Sequence, residues 1–159
     1  DQWTLDDLFA VKQFPIVPVD GSTVVTEDLP DPVGVDVATV LTQLETVTGD
    51  AARGERLYHN QDSSQLRQKL ACSGCHLQSA NGTGPMTDST FWRAENIRIQ
   101  DPALPGFTAE QYLVASILQP GAYLVPGFQN LMLANFGERI SLQDLADLLA
   151  YLETMNQPQ

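Results

Sequence analysis

Sulfur and imidazole ligands are scarce in this chain of 159 residues, which has two cysteines and two histidines. Cys72, Cys75, His59 and His76 exhaust the Cys and His supply, and adjacent Cys75 and His76 fit poorly around one tetrahedral ion, so a structural zinc site is disfavoured. Basic residues are also few, 8 Lys plus Arg against 20 Asp plus Glu, for a formal net charge of −12. That balance argues against sequence-nonspecific nucleic-acid binding, which needs a cationic surface, and against attraction to anionic lipid. No stretch approaches the roughly 18 consecutive apolar residues of a membrane-spanning helix. The opening residues, Asp1-Gln2-Trp3-Thr4, do not read as a signal peptide, so if the protein is exported its signal is expected to have been removed from this chain. At 43% hydrophobic and 18% charged, the composition is that of one globular domain with a modest core.

The acidity is uneven. Residues 1–50 set ten acids against one base, Lys12, a net −9, whereas residues 51–159 set ten acids against seven bases, a net −3. Residues 12–34 are broken by Pro15, Pro18, Pro30, Pro32, Gly21 and Gly34, and read as an extended arm with turns. Short helices are expected after Thr4 and after Asp36, where Val37, Val40, Leu41 and Leu44 recur at helical spacing. The chain thus divides into an acidic, partly apolar arm over residues 1–49 and a helical domain over 50–159. Trp3, Leu5, Leu8, Phe9, Phe14, Ile16, Val17 and Val19 need cover, from the chain's own domain or from another subunit.

Beyond Asp50 the signals are helical. Asp50 caps a segment to about Tyr58, which sets Gly54 and Tyr58 on one face. A polar insert, His59 to Ser64, leads into a further turn at Gln65 to Leu70. Thr108 caps a helix to about Leu118, with Tyr112, Leu113 and Ile117 inward and Pro120-Gly121 as its stop. Ser141 caps the last helix, in which Leu142, Leu145, Leu149 and Leu152 form a stripe widened by Ala146 and Leu148. Strand alternation and internal repeats are not evident, so the fold class is all-α.

Chemistry concentrates in Cys72-Ser73-Gly74-Cys75-His76. A redox dithiol of the thioredoxin kind belongs in a βαβ setting, which this chain lacks. Covalent haem attachment is the remaining reading of C-x-x-C-H: two thioethers tether the macrocycle and the adjacent histidine is held for the iron.

From about Asp50 to Met155 the sequence resembles the class I cytochromes c. The resemblance rests on that motif, on Gly54-x-x-x-Tyr58, on Gly84-Pro85, on Pro120, Gly127 and Asn130-Leu131-Met132, on Asn135-Phe136-Gly137 and on Leu148-Leu149-Ala150-Tyr151-Leu152. It implies three to five helices around one haem c bound through Cys72 and Cys75, with His76 as proximal ligand. It also implies that the Pro85 carbonyl accepts a hydrogen bond from the His76 imidazole, and that Trp92 bonds a haem propionate. Met132 stands where the family carries its distal methionine, although Leu133 follows it where the family usually has proline.

The other conceivable sixth ligands are Met86, only 10 residues past His76, Met155 near the end of the sequence, and His59. Met132, 56 residues past His76, leaves room for a helix and a return loop. Tyr112, Tyr123 and Phe128 are candidate pocket walls, and Arg93 and Arg98 candidate screens of propionate charge.

The function expected on this basis is one-electron transfer by a His/Met haem, not enzymatic catalysis. The resemblance extends to monohaem subunits of bacterial respiratory or photosynthetic complexes, such as alternative complex III. Redox-protein subunits are the expected partners, reached through the arm and the haem edge. The expected location is the periplasm or the outer face of the cytoplasmic membrane. A soluble periplasmic carrier, and a haem enzyme or gas sensor with a labile distal ligand, are the alternatives.

Overall fold

The computed structural model describes residues 28–158. The helix expected after Thr4 and the apolar residues from Trp3 to Val19 lie outside them. Among the described residues there are five α-helices and no strands: α1 (Val37–Leu44), α2 (Ala51–Tyr58), α3 (Thr90–Asn96), α4 (Ala109–Leu118) and α5 (Leu142–Glu153). Short 3-10 turns occupy Cys72–Gly74, Arg98–Gln100 and Phe136–Glu138. No helix among these residues is long and apolar enough to cross a membrane.

Four helices begin where a side chain satisfies otherwise orphaned N–H groups. The Asp36 carboxylate accepts from Thr39 N, and Asp50 accepts from Ala52 N and Arg53 N. Thr108 with Gln111 and Ser141 with Asp144 form reciprocal capping boxes at α4 and α5. Helix α3 has no such signal. Its N-cap, Ser89, is in the left-handed region at φ 59° and makes no side-chain cap. Gln65 to Leu70 is a non-helical turn, closed by Ser64 Oγ accepting from Gln68 N at 3.1 Å.

Helix α5 is the centre of the packing, in contact with α1, α2, α3 and α4. Leu145, Leu148 and Leu149 on it, Leu57 on α2, Val114 and Leu118 on α4 and Val40 on α1 are all buried. Backbones of α2 and α5 approach so closely that a Cβ at Gly54 would lie 1.9 Å from the Asp147 carbonyl oxygen. Gly54→Ala must therefore push the two helices apart. We expect it to cost about 1–3 kcal/mol or more, the range for overpacking a filled core, as read by chemical denaturation.

Residues 33–44 sit on this same core. Val33 N donates to Ile140 O and Gly34 N to Gly137 O, each at 2.9 Å, and Val40 is 1% exposed. The step in charge near Asp50 therefore falls inside continuous packing. Part of the segment drawn as an arm covers the domain's own helices, α4 and α5.

Polar chemistry ties α2 to α5. Arg53 on α2 forms a two-pronged ion pair with Asp144 and Asp147 on α5, carboxylates that are 0% and 1% exposed. Asp144 also accepts from Gln65 N and Ser141 N, each at 2.9 Å, and Asp147 accepts from Asp50 N and Gln143 Nε2, each at 2.8 Å. Burial pulls the Arg53 guanidinium down, but the two carboxylates outweigh it and its pKa lies above the ordinary value.

Candidate functional site

The Cys72–Gly74 turn puts both thiols and His76 on one short stretch of backbone. Ala71 enters it in the left-handed region at φ 54°, and His76 N donates to Cys72 O at 3.0 Å. Cys72 is half-buried and Cys75 exposed, with no disulfide between them. Burial pushes the Cys72 thiol up to about 11, so it is protonated at neutral pH. That environment is the reverse of one that lowers a thiol pKa to make a nucleophile.

His76 is held from several directions. Its Nδ1 lies 2.8 Å from the Pro85 carbonyl oxygen. A carbonyl can only accept, so Nδ1 carries a proton, and in the neutral imidazole the lone pair is then on Nε2. A Cβ on Gly84 would come within 2.5 Å of His76 Cε1 and 2.7 Å of Nδ1, so only glycine lets the ring lie this close to the chain. On the backbone side, Thr87 N donates to Leu77 O at 2.8 Å and Asp88 N to Gln78 O at 2.9 Å.

Two apolar cavities meet at this histidine, with volumes of about 130 Å³ and about 300 Å³. Cys72, His76, Pro85, Tyr112, Met132 and Phe136 line both. The smaller runs inward past Tyr58, Thr87, Leu113, Leu148 and Leu152, and Arg93 and Arg98 stand in its wall. The larger opens past Cys75, Tyr123 and Phe128, with Leu124, Leu131 and Leu133 in its wall, which are 44%, 59% and 55% exposed. Tyr112 and Tyr123 pack edge to face at 5.9 Å between centroids, and Tyr123 Oη donates to Asp101 Oδ2 at 2.9 Å. Burial lowers the Arg93 pKa, and the nearby Arg98 charge lowers it further. Two cations beside an apolar hollow suit a ligand with an apolar body and anionic ends.

The four residues expected as alternatives for a sixth ligand lie in different places. Met132 lines both cavities and Met86 lines the smaller one. His59 lines neither: it caps α2, with Nε2 3.1 Å from Tyr151 Oη. Met155 also lies elsewhere, its carbonyl accepting from Phe91 N and Trp92 N. Among the described residues no group of three or more His, Cys, Asp or Glu is placed to hold a metal ion.

Trp92 is not among the residues lining either cavity. Successive helical residues are turned by about 100°, and on α3 it is Thr90 and Arg93, three apart, that line the smaller cavity. The Arg93 guanidinium donates to the Asp88 and Met86 carbonyl oxygens.

Sequence reasoning missed Tyr58 and Thr87 as neighbours of His76. Both are buried, and their hydroxyls hydrogen-bond to each other and to the His76 carbonyl oxygen. Burial holds the Tyr58 phenol well above the ordinary tyrosine range, which keeps it a donor. No protein-family model matches the chain, and no curated protein matches it.

Proposed function

We propose that this protein is a one-electron carrier built around one haem c, attached through Cys72 and Cys75 and ligated by His76 and Met132. The observation that carries the reading is the His76–Pro85 contact at 2.8 Å, at the meeting point of two apolar cavities lined by Cys72 and Met132. The residues present fit the group: two thiols and an imidazole on one turn, Nδ1 engaged by Pro85 so that a neutral ring offers Nε2, a thioether lining the same two cavities, and apolar walls. The haem supplies the reversible Fe(III)/Fe(II) couple.

The chain's own residues do the rest. Pro85 fixes the tautomer and orientation of His76 and raises its basicity. A methionine ligand and a water-poor pocket favour the ferrous state, raising the potential. Arg93 and Arg98 offset propionate charge.

The carrier is proposed to work as a subunit of a larger periplasmic or membrane-face electron-transfer complex, since C-x-x-C-H haem attachment belongs outside the bacterial cytoplasm. Exposed Leu124, Leu131 and Leu133 beside the larger cavity suit a redox partner, and the net charge of −12 suits one with a basic docking patch. Residues 1–32 hold Trp3, Leu5, Leu8, Phe9 and Phe14 and are the proposed subunit-binding segment. Because the backbone is bonded to the packed domain from Val33 on, the informative truncation removes 1–32 alone. Kept redox activity with lost assembly is the expected result, and unchanged assembly contradicts the subunit reading.

Ferric and ferrous optical spectra, with and without carbon monoxide, test the site. A c-type ferrous spectrum, a ferric thioether-to-iron band and no carbon monoxide response are expected. Ready carbon monoxide binding by the wild type contradicts His/Met ligation and favours the sensor or enzyme alternative.

A further inference from the structure

Tyr58 and Thr87 are 6% and 3% exposed, and hydroxyls rarely occupy such positions without a definite partner. Their partner is one atom. Tyr58 Oη lies 3.2 Å, and Thr87 Oγ1 3.1 Å, from the backbone carbonyl oxygen of His76, and the two hydroxyls are also in hydrogen-bond contact with each other. Two hydroxyl hydrogens must serve three oxygens. Either hydroxyl can donate to the other, and at least one of the two donates to the carbonyl, which can only accept.

The chain runs from α2, through the loop after Pro85, to the histidine. Phenylalanine in place of Tyr58 and valine in place of Thr87 would fill nearly the same volumes, so packing alone does not call for hydroxyls here. We infer that Tyr58 and Thr87 are positioning residues that fix the backbone of His76, so that α2 helps set the angle at which the imidazole meets the iron. The inference rests on the haem reading above and goes beyond it. The Pro85 contact fixes the ring about its own bonds, whereas this contact fixes the main chain from which the ring projects.

The test uses the mature haem-bearing protein and three variants, Tyr58→Phe, Thr87→Val and Thr87→Ser. Each is read by nuclear magnetic resonance of labelled His76, by the midpoint potential and by chemical denaturation. Tyr58→Phe and Thr87→Val are expected to fold, to move the His76 resonances and to shift the potential, while Thr87→Ser reproduces the wild type. That rescue separates a hydrogen-bonding role from simple packing. Folded, haem-bearing Tyr58→Phe and Thr87→Val proteins with wild-type His76 resonances and potential would overturn the inference and leave the haem reading standing. A wild-type protein without covalent haem, seen before any variant is compared, would overturn both.

Discussion

Arg53→Ala is expected to destabilise the fold by about 3–5 kcal/mol, the cost of leaving buried charge uncompensated. The guanidinium bridges Asp144 and Asp147, which are almost fully buried on α5, and its own side chain is only 20% exposed. The expectation is not that the ion pairs are worth that much, since well-packed apolar residues often replace a buried pair without loss. It is that removing one cation strands two carboxylates against a core helix. Adding Asp147→Asn to Arg53→Ala should recover part of the loss, because one stranded charge goes. Denaturant midpoints of the single and double variants measure this. A loss below about 1 kcal/mol for Arg53→Ala, the scale of exposed ion pairs, would show that water reaches these carboxylates when the cation is removed.

Met132→Ala is the second large effect, and it concerns the site. Loss of the thioether should abolish the ferric thioether-to-iron band, lower the potential and turn carbon monoxide binding from nil to stoichiometric. Met86→Leu is the necessary control, because Met86 lines the smaller cavity with His76. The proposed ligation predicts that Met86→Leu keeps the band and the resistance to carbon monoxide. The reverse pattern would move the sixth ligand to Met86. Loss in both would mean that the loops holding them depend on each other.

Local signals were the most legible. Asp36, Asp50, Thr108 and Ser141 announce their helices because a cap acts within three residues of itself. Helix α3 escaped because it starts from a left-handed Ser89 without a side-chain cap and runs only seven residues. The Arg53 bridges were invisible for a different reason: they join residues 91 and 94 positions apart, and no local pattern marks the partner.

The same division runs through the site. Cys72, Cys75 and His76 are close in sequence and lie on one turn, so their spacing alone gives their grouping. Pro85 came through a family resemblance, and its carbonyl accepts from His76. The resemblance also points to Trp92, and on α3 it is Thr90 and Arg93 that line the smaller cavity. Tyr58 and Thr87 needed the fold to bring α2 and the loop after Pro85 onto one carbonyl. The charge step near Asp50 reads as a domain boundary in sequence because net charge says nothing about packing, and Val40 lies buried beyond it.

The central claim is that Cys72 and Cys75 carry a haem. Its most direct test is the intact mass and free-thiol count of the mature protein, expressed where c-type haem is attached. The account predicts the polypeptide mass plus one haem, surviving denaturation, and no alkylatable cysteine. A polypeptide of bare mass with two alkylatable thiols, the exposed Cys75 reacting ahead of the half-buried Cys72, would contradict it.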